Sequence, residues 1–160
     1  IGNLTAREAL SLLKHCHKIL GDEATFLIGV DLDKSSEVLI PAYDDPEGVT
    51  AEFNRNLLKR INRELGLNID IQAFDHEARY LTDPARIEMH LVAITDQMFE
   101  IADETYTLAA GESFHTETSH KFSIEGFAQL AERAGWQLDE HWLDTQKRFA
   151  VLLLKAFPQQ

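Results

Sequence analysis

The 160-residue sequence predicts an α/β fold in which part of a sheet is interrupted by an inserted α+β segment. Three observations predict it. A capped amphipathic helix near the amino end runs into a short, almost wholly apolar segment at residues 24–31. The period then changes, from the helical repeat of residues 50–65 to a two-residue alternation at residues 87–94. It changes back at Ser123, where another capped helix precedes a closing pair of strands. The chain is therefore expected to divide discontinuously, with residues 1–33 and 122–160 forming one unit and residues 34–121 inserted as another.

Thr5 with Glu8 three residues later is a capping-box pattern, in which hydroxyl and carboxylate satisfy amides that the first helical turn leaves without partners. Leu10, Leu13, His17 and Leu20 follow on one face, and Gly21 sits where a left-handed C-cap belongs, so residues 5–20 are expected to be helical. Ala24 through Asp31 has strand length and few polar residues, the pattern of a strand covered on both faces in a parallel sheet, and Asp31 opens a polar loop. Residues 41–48 are acidic and turn-rich. Thr50 then caps a helix whose apolar positions Phe53, Leu57, Leu58, Ile61 and Leu65 stop at Gly66.

From His76 to about Lys121 the sequence predicts a meander of antiparallel strands. Ile87, Met89, Leu91 and Ala93 alternate with Glu88, His90, Val92 and Ile94, and β-prone pieces surround Met98, Tyr106 and Phe114. Ser123 caps a helix carrying Phe127, Leu130, Ala131 and Ala134 as far as Gly135. Strands at residues 136–144 and 148–157 close the chain as a hairpin through a short polar turn.

Composition narrows the function classes. With 44% hydrophobic and 26% charged residues the chain is large enough to bury a core. A formal charge of −12 repels a phosphate backbone and no basic stripe relieves it, so nucleic acid is not an expected partner. No apolar run approaches the roughly 20 residues that span a bilayer, and the amino end carries no signal pattern, so no membrane partner is expected either. Cys16 is the only cysteine, which excludes an internal disulfide and fits a reducing, cytoplasmic compartment. The sequence opens on Ile1 rather than methionine, as a partial or processed chain would.

Helix, strand, helix and final hairpin in this order match the carboxyl half of the sheet in class I methyltransferases, a Rossmann-like fold. A series of stretches then narrows the match: Ile1-Gly2-Asn3-Leu4, Leu27-Ile28-Gly29-Val30-Asp31-Leu32, Ala42-Tyr43-Asp44-Asp45, residues 48–54, Ile61-Asn62-Arg63-Glu64-Leu65, and Ala110-Gly111-Glu112 through Thr116-Glu117-Thr118-Ser119-His120-Lys121-Phe122. Taken together, in order and across nearly the whole chain, they resemble the histidine-specific Nα-methyltransferases of ergothioneine synthesis, in their C-terminal part. The resemblance implies an S-adenosylmethionine-dependent N-methyltransferase that methylates the α-amino group of histidine three times to give hercynine. It also implies a methyltransferase core, here residues 1–33 and 122–160, carrying an inserted substrate-binding domain, here residues 34–121.

The same resemblance implies a substrate site made of Asn3, Tyr43, Met89, Glu117 and Ser119. Asn3 would grip the amino-acid head group, its amide donating to the carboxylate and accepting from the amine, while the Tyr43 hydroxyl would hold the carboxylate. Glu117 and Ser119 lie two apart, so on a strand they leave the same face and would meet the two nitrogens of an imidazole ring. Met89 would line the side-chain pocket. Apart from the resemblance, Asn3 reads as a turn former, Tyr43 as a loop anchor, Met89 as core packing, and Glu117 with Ser119 as the solvated face of an edge strand. No Gly-rich strand-to-helix turn is present, so S-adenosylmethionine is expected to be bound mainly by an amino-terminal part, and a chain of this extent alone is expected to be inactive. A non-catalytic amino-acid-binding module derived from the family is the alternative.

Other candidates carry no chemistry on this reading. His15 and His17 diverge on their helix, and His115 and His120 stand on opposite faces of a strand. His76-Glu77 lacks the second histidine four residues after the first that a zincin helix needs, so no metal is assigned. Asp44-Asp45 reads as a polar turn, and Cys16 as a buried small apolar residue. A half-sheet with an unpaired strand at residues 24–31 is expected to associate into a homo-oligomer.

Overall fold

Helix α1 (Ala6–Leu20) begins as its cap sequence requires. The Glu8 amide donates to the Thr5 hydroxyl at 3.3 Å, and the Thr5 amide donates to the Glu8 carboxylate at 2.8 Å. Gly21 closes it with φ 84, its N–H bonding the His17 carbonyl, although ψ 175 makes this an extended rather than a left-handed helical cap. The structure, a computed structural model, describes residues 1–102 and 104–158. It divides into two compact units: Ile1–Lys34 with Thr82–Arg86 and Thr118–Gln160, and Ser35–Leu81 with Ile87–Glu117.

In the first unit β1 (Thr25–Asp31), β7 (Trp136–Leu143) and β8 (Phe149–Ala156) form a sheet of order β1-β8-β7, joined by helix α4 (Ile124–Glu132). The last strand does pair with β1: Phe26 lies opposite Leu154 and Gly29 opposite Val151. The pairing is antiparallel, contrary to the parallel sheet expected from the apolar run, and the parallel contact here is an isolated bridge between Leu32 and Phe122. Nor is β1 covered on both faces. Val30 is 1% exposed but Leu27 is 60% exposed. An apolar run reads the same whether both faces are buried or one stays open, which is why the sequence misled here. Gly29 is glycine for a packing reason, because a Cβ there would sit 2.7 Å from the Phe149 ring.

The core of this unit is Leu13, Val30, Phe127, Trp136, Leu152 and Leu154, all fully buried. Trp136 also donates its indole N–H to the Leu13 carbonyl at 2.9 Å, tying β7 to α1. Ser123 caps α4 as expected, accepting from the Gly126 amide at 3.0 Å. Cys16 is half-buried against this core rather than buried.

The second unit contains a helix the sequence reading missed, α2 (Ser36–Tyr43), because Pro41 and the acids after it looked like a turn. Helix α3 (Val49–Leu65) follows with a cap other than the one expected. Thr50 lies inside the first turn, and the cap is the Asp45 carboxylate, which accepts from the Val49 amide at 2.9 Å and the Thr50 amide at 2.8 Å. The bonds from Thr50 and then Val49 pull the Asp45 carboxyl down to about 2.

A 3-10 turn at Ile71–Ala73 leads into β2 (Phe74–Thr82), β3 (Ala85–Ala93), β4 (Gln97–Ile101), β5 (Glu104–Leu108) and β6 (Ser113–His120). These make a sheet of order β2-β3-β6 and a separate antiparallel ribbon β4-β5. Two small apolar clusters hold this unit, one around Leu58, Phe74 and Leu91 and one around Leu39, Ala78 and Ile87. Among the described residues no helix is long and apolar enough to cross a membrane.

Candidate functional site

Within the second unit, helix α3 carries more apolar surface than its core contact uses. Leu58 is buried, but Phe53 and Leu57 are 66% and 41% exposed. With Asn54, Met89, Thr116 and Glu117 they line a cleft of about 260 Å³. Met89 is 4% exposed, so its packing role and its place in the cleft wall coexist, and its carbonyl accepts from the Thr116 hydroxyl at 2.9 Å. Glu117 is half-buried at one wall. One sequence-expected pair, Met89 and Glu117, is thus brought to a common cleft.

A buried relay of polar groups sets the floor of this unit. The Asn54 amide nitrogen donates to His76 Nδ1 at 2.9 Å and to the His90 carbonyl at 3.1 Å. With Nδ1 accepting, His76 carries its proton on Nε2 and donates it to the Tyr43 carbonyl at 2.7 Å. Tyr43 does not line the cleft; it is half-buried against the Leu39, Ala78 and Ile87 cluster, and its backbone reaches the cleft residue Asn54 through His76. His76, set aside in the sequence, is therefore the link between α2 and α3.

Glu88, His90 and His115 gather nearby, their potential ligand atoms within 4.8 Å of one another. His90 Nε2 donates to Glu88 at 3.2 Å, while Nδ1 faces the Ser113 hydroxyl at 3.0 Å and the Arg79 guanidinium at 3.4 Å. The His90 and His115 rings stack with centroids 5.0 Å apart and a 14° interplanar angle. Both nitrogens of His90 are committed to hydrogen bonds and a guanidinium stands beside it, so the trio reads as a self-satisfied network. Burial, more than the opposing bond to Glu88, holds the His90 pKa below the ordinary 6.5.

In the first unit, Asn3 and Ser119 come together with the chain's start. The Asn3 amide donates to the Thr118 carbonyl at 3.2 Å, and the His120 amide donates to the Gly2 carbonyl at 2.7 Å. A Cβ on Gly2 would crowd the His120 carbonyl at 3.3 Å, so glycine suits this approach. Lys121, whose side chain is fully buried, donates to Ser119 Oγ at 2.9 Å and to Asp31 Oδ2 at 2.7 Å, and Lys34 bonds the other Asp31 oxygen. Burial raises the Asp31 carboxyl pKa, and the bonds from Lys121 and Lys34 outweigh it, leaving it below the usual range. Glu117 and Ser119 are alternate residues of β6, so their side chains leave one face of that strand.

Residues 1–156 match the pattern of the family described as histidine-specific methyltransferase, SAM-dependent. The chain belongs to the histidine-specific methyltransferase family. It is 42% identical over 156 residues to the histidine N-alpha-methyltransferase of Mycolicibacterium smegmatis, covering 96% of this chain and 48% of that protein. The corresponding protein of Mycobacterium tuberculosis is 39% identical over 155 residues with the same coverage, and ergothioneine biosynthesis protein 1 of Schizosaccharomyces pombe is 24% identical over 160 residues, 21% of its length. The chain spans about half the length of the bacterial relatives it matches.

Among its described residues this histidine-specific methyltransferase chain carries no glycine-rich strand-to-helix turn for the family's cofactor, S-adenosylmethionine. Its positive-φ glycines, among them Gly21, Gly48 and Gly66, stand at helix ends and turns, and the segment after β1 runs Asp31-Leu32-Asp33-Lys34. Neither makes a glycine cradle between a strand and a helix. Sequence reasoning also missed Phe53, Asn54, Leu57 and Lys121. Asn54 carried a usable signal, a polar residue amid the apolar positions of α3; Lys121 carried none, since a lysine ending a strand is ordinarily solvated.

Proposed function

We propose that the protein to which this chain belongs transfers methyl groups from S-adenosylmethionine to the α-amino group of histidine, three in succession, to give hercynine. This chain supplies much of the histidine site, and the cofactor is held mainly by residues outside it. One observation carries the reading: a half-buried carboxylate, Glu117, at the wall of a cleft of about 260 Å³ that is lined also by the apolar Phe53, Leu57 and Met89 and by the polar Asn54, Arg60 and Thr116. Such a slot, apolar along part of its lining and carrying a carboxylate at one wall, suits a small flat ring that offers an N–H.

In this reading Glu117 accepts from one imidazole nitrogen, Ser119 bonds the other, and Met89 packs on the ring. Asn3 and the Tyr43 hydroxyl hold the α-carboxylate and amine. The cofactor supplies an activated methyl group, so the residues here need only hold an unprotonated amine in line and exclude other side chains. The second unit acts as a substrate-binding domain inserted in a class I methyltransferase core whose carboxyl part is the first unit. The enzyme works in the cytoplasm. A chain of this extent self-associates through β1, an edge strand of its sheet that leaves Leu27 exposed.

The test is to incubate the full-length protein with S-adenosylmethionine and single amino acids and to follow products by mass spectrometry. Trimethylated histidine, with tryptophan and tyrosine untouched, is the expected result. Methylation of those two at equal rates, or none of histidine, rejects the reading.

A further inference from the structure

The Lys121 side chain is 0% exposed, and its ammonium donates to Asp31 at 2.7 Å and to Ser119 at 2.9 Å. A buried ion pair adds little net stability over apolar residues of similar volume, so stability alone does not account for it. What it does locally is fix a polarity. An ammonium has only donors, so Ser119 Oγ must be the acceptor at this contact and its O–H turns away from Lys121. Lys34 bonds the other Asp31 oxygen and the Arg148 carbonyl at 2.8 Å. Two ammonium groups therefore share the Asp31 carboxylate beside Ser119. With an ammonium donating to its oxygen, Ser119 is oriented to donate toward an acceptor on a ligand.

We propose that Lys121 is a positioning residue that fixes Ser119 as a hydrogen-bond donor, so that Ser119 reads an unprotonated ring nitrogen. The inference rests on Ser119 belonging to the histidine site. Glu117 can only accept from the ring when ionised, so the pair specifies a neutral ring with one donor and one acceptor nitrogen. Indole offers an N–H and no acceptor, and phenol a single hydroxyl. Lys121 thereby contributes to the selection of histidine over the aromatic amino acids without touching the substrate, because a site built for a hydrogen bond rejects a ring that cannot make it.

The experiment is calorimetric titration of the full-length protein, with S-adenosylhomocysteine present, by histidine and by the two pyrrolylalanines, which keep one ring N–H and replace the other nitrogen by C–H. The unaltered protein should prefer histidine by at least about tenfold, the worth of one sheltered hydrogen bond. Ser119→Ala should erase that preference, Lys121→Met should cut it to within about threefold, and Lys121→Arg, which keeps a charged donor, should retain most of it. If Ser119→Ala erases the preference while Lys121→Met keeps it whole, the positioning role is overturned and the site reading survives. If Ser119→Ala keeps it, the site reading fails and the inference falls with it. Should Lys121→Met not fold, the Asp31→Asn, Lys121→Met double variant removes the pair together and is judged by the same outcomes.

Discussion

The two units bury polar groups in different ways. The first closes on a single apolar core and keeps its buried charge at one end, where Lys121 meets the partly exposed Asp31 and Lys34 beside Ser119. The second has two smaller cores and threads neutral polar side chains through its interior, with Asn54 at 3% and His90 at 6% exposure. Apolar packing depends on filled volume and not on any one partner, whereas a relay of amides and imidazoles works only if each member keeps its partner. The first unit should therefore fail through lost volume and the second through lost hydrogen bonds.

The largest effect belongs to Trp136→Ala in the first unit. It removes the biggest fully buried side chain and its bond to Leu13, and should lower unfolding free energy by about 3–5 kcal/mol in denaturant titration. Asn54→Leu tests the opposite behaviour. Branching and heavy-atom count are kept, yet His76 Nδ1 and the His90 carbonyl lose their donor, so a loss of about 2 kcal/mol is expected, with faster hydrogen exchange confined to the second unit. A near-neutral Asn54→Leu would erase the contrast.

These contrasts follow what was legible in the sequence. Helix α1 with its Thr5 and Glu8 cap, the Ser123 cap and the closing hairpin were all readable, because cap chemistry and hydrophobic period are local. Helix α2 was not, since Pro41 and the acids after it signal a turn unless tertiary packing of Leu39 overrides them. The antiparallel, half-open β1 was hidden because an apolar run does not reveal which neighbour covers it. Met89 and Glu117 were brought to one cleft, but the buried state of Asn54, His76 and Lys121 could not be foreseen, because a polar side chain looks alike in sequence whether it meets water or a partner far along the chain.

Acid should separate the units further. The pKa of His90 is lower in the folded protein than the ordinary 6.5, so protonation favours the unfolded chain. Its contribution is present above pH 6.5 and is lost as pH falls from there through the depressed folded value. Thermal melts should show the second unit losing stability over that range in the wild type, and His90→Gln should flatten the slope. The smallest effect is at the exposed cap of α3: Asp45→Ala should speed exchange of the Val49 and Thr50 amides while leaving substrate affinity unchanged.

The central claim is that Glu117 reads the ring of histidine. Titrating the full-length Glu117→Gln variant with histidine, and separately with S-adenosylmethionine, tests it most directly. A carboxylate paired with a ring N–H in a sheltered cleft is worth about 1.5–3 kcal/mol, so histidine affinity should fall by roughly tenfold or more while cofactor affinity stays within about twofold. Histidine binding unchanged in that variant, or both affinities falling together, would contradict the account.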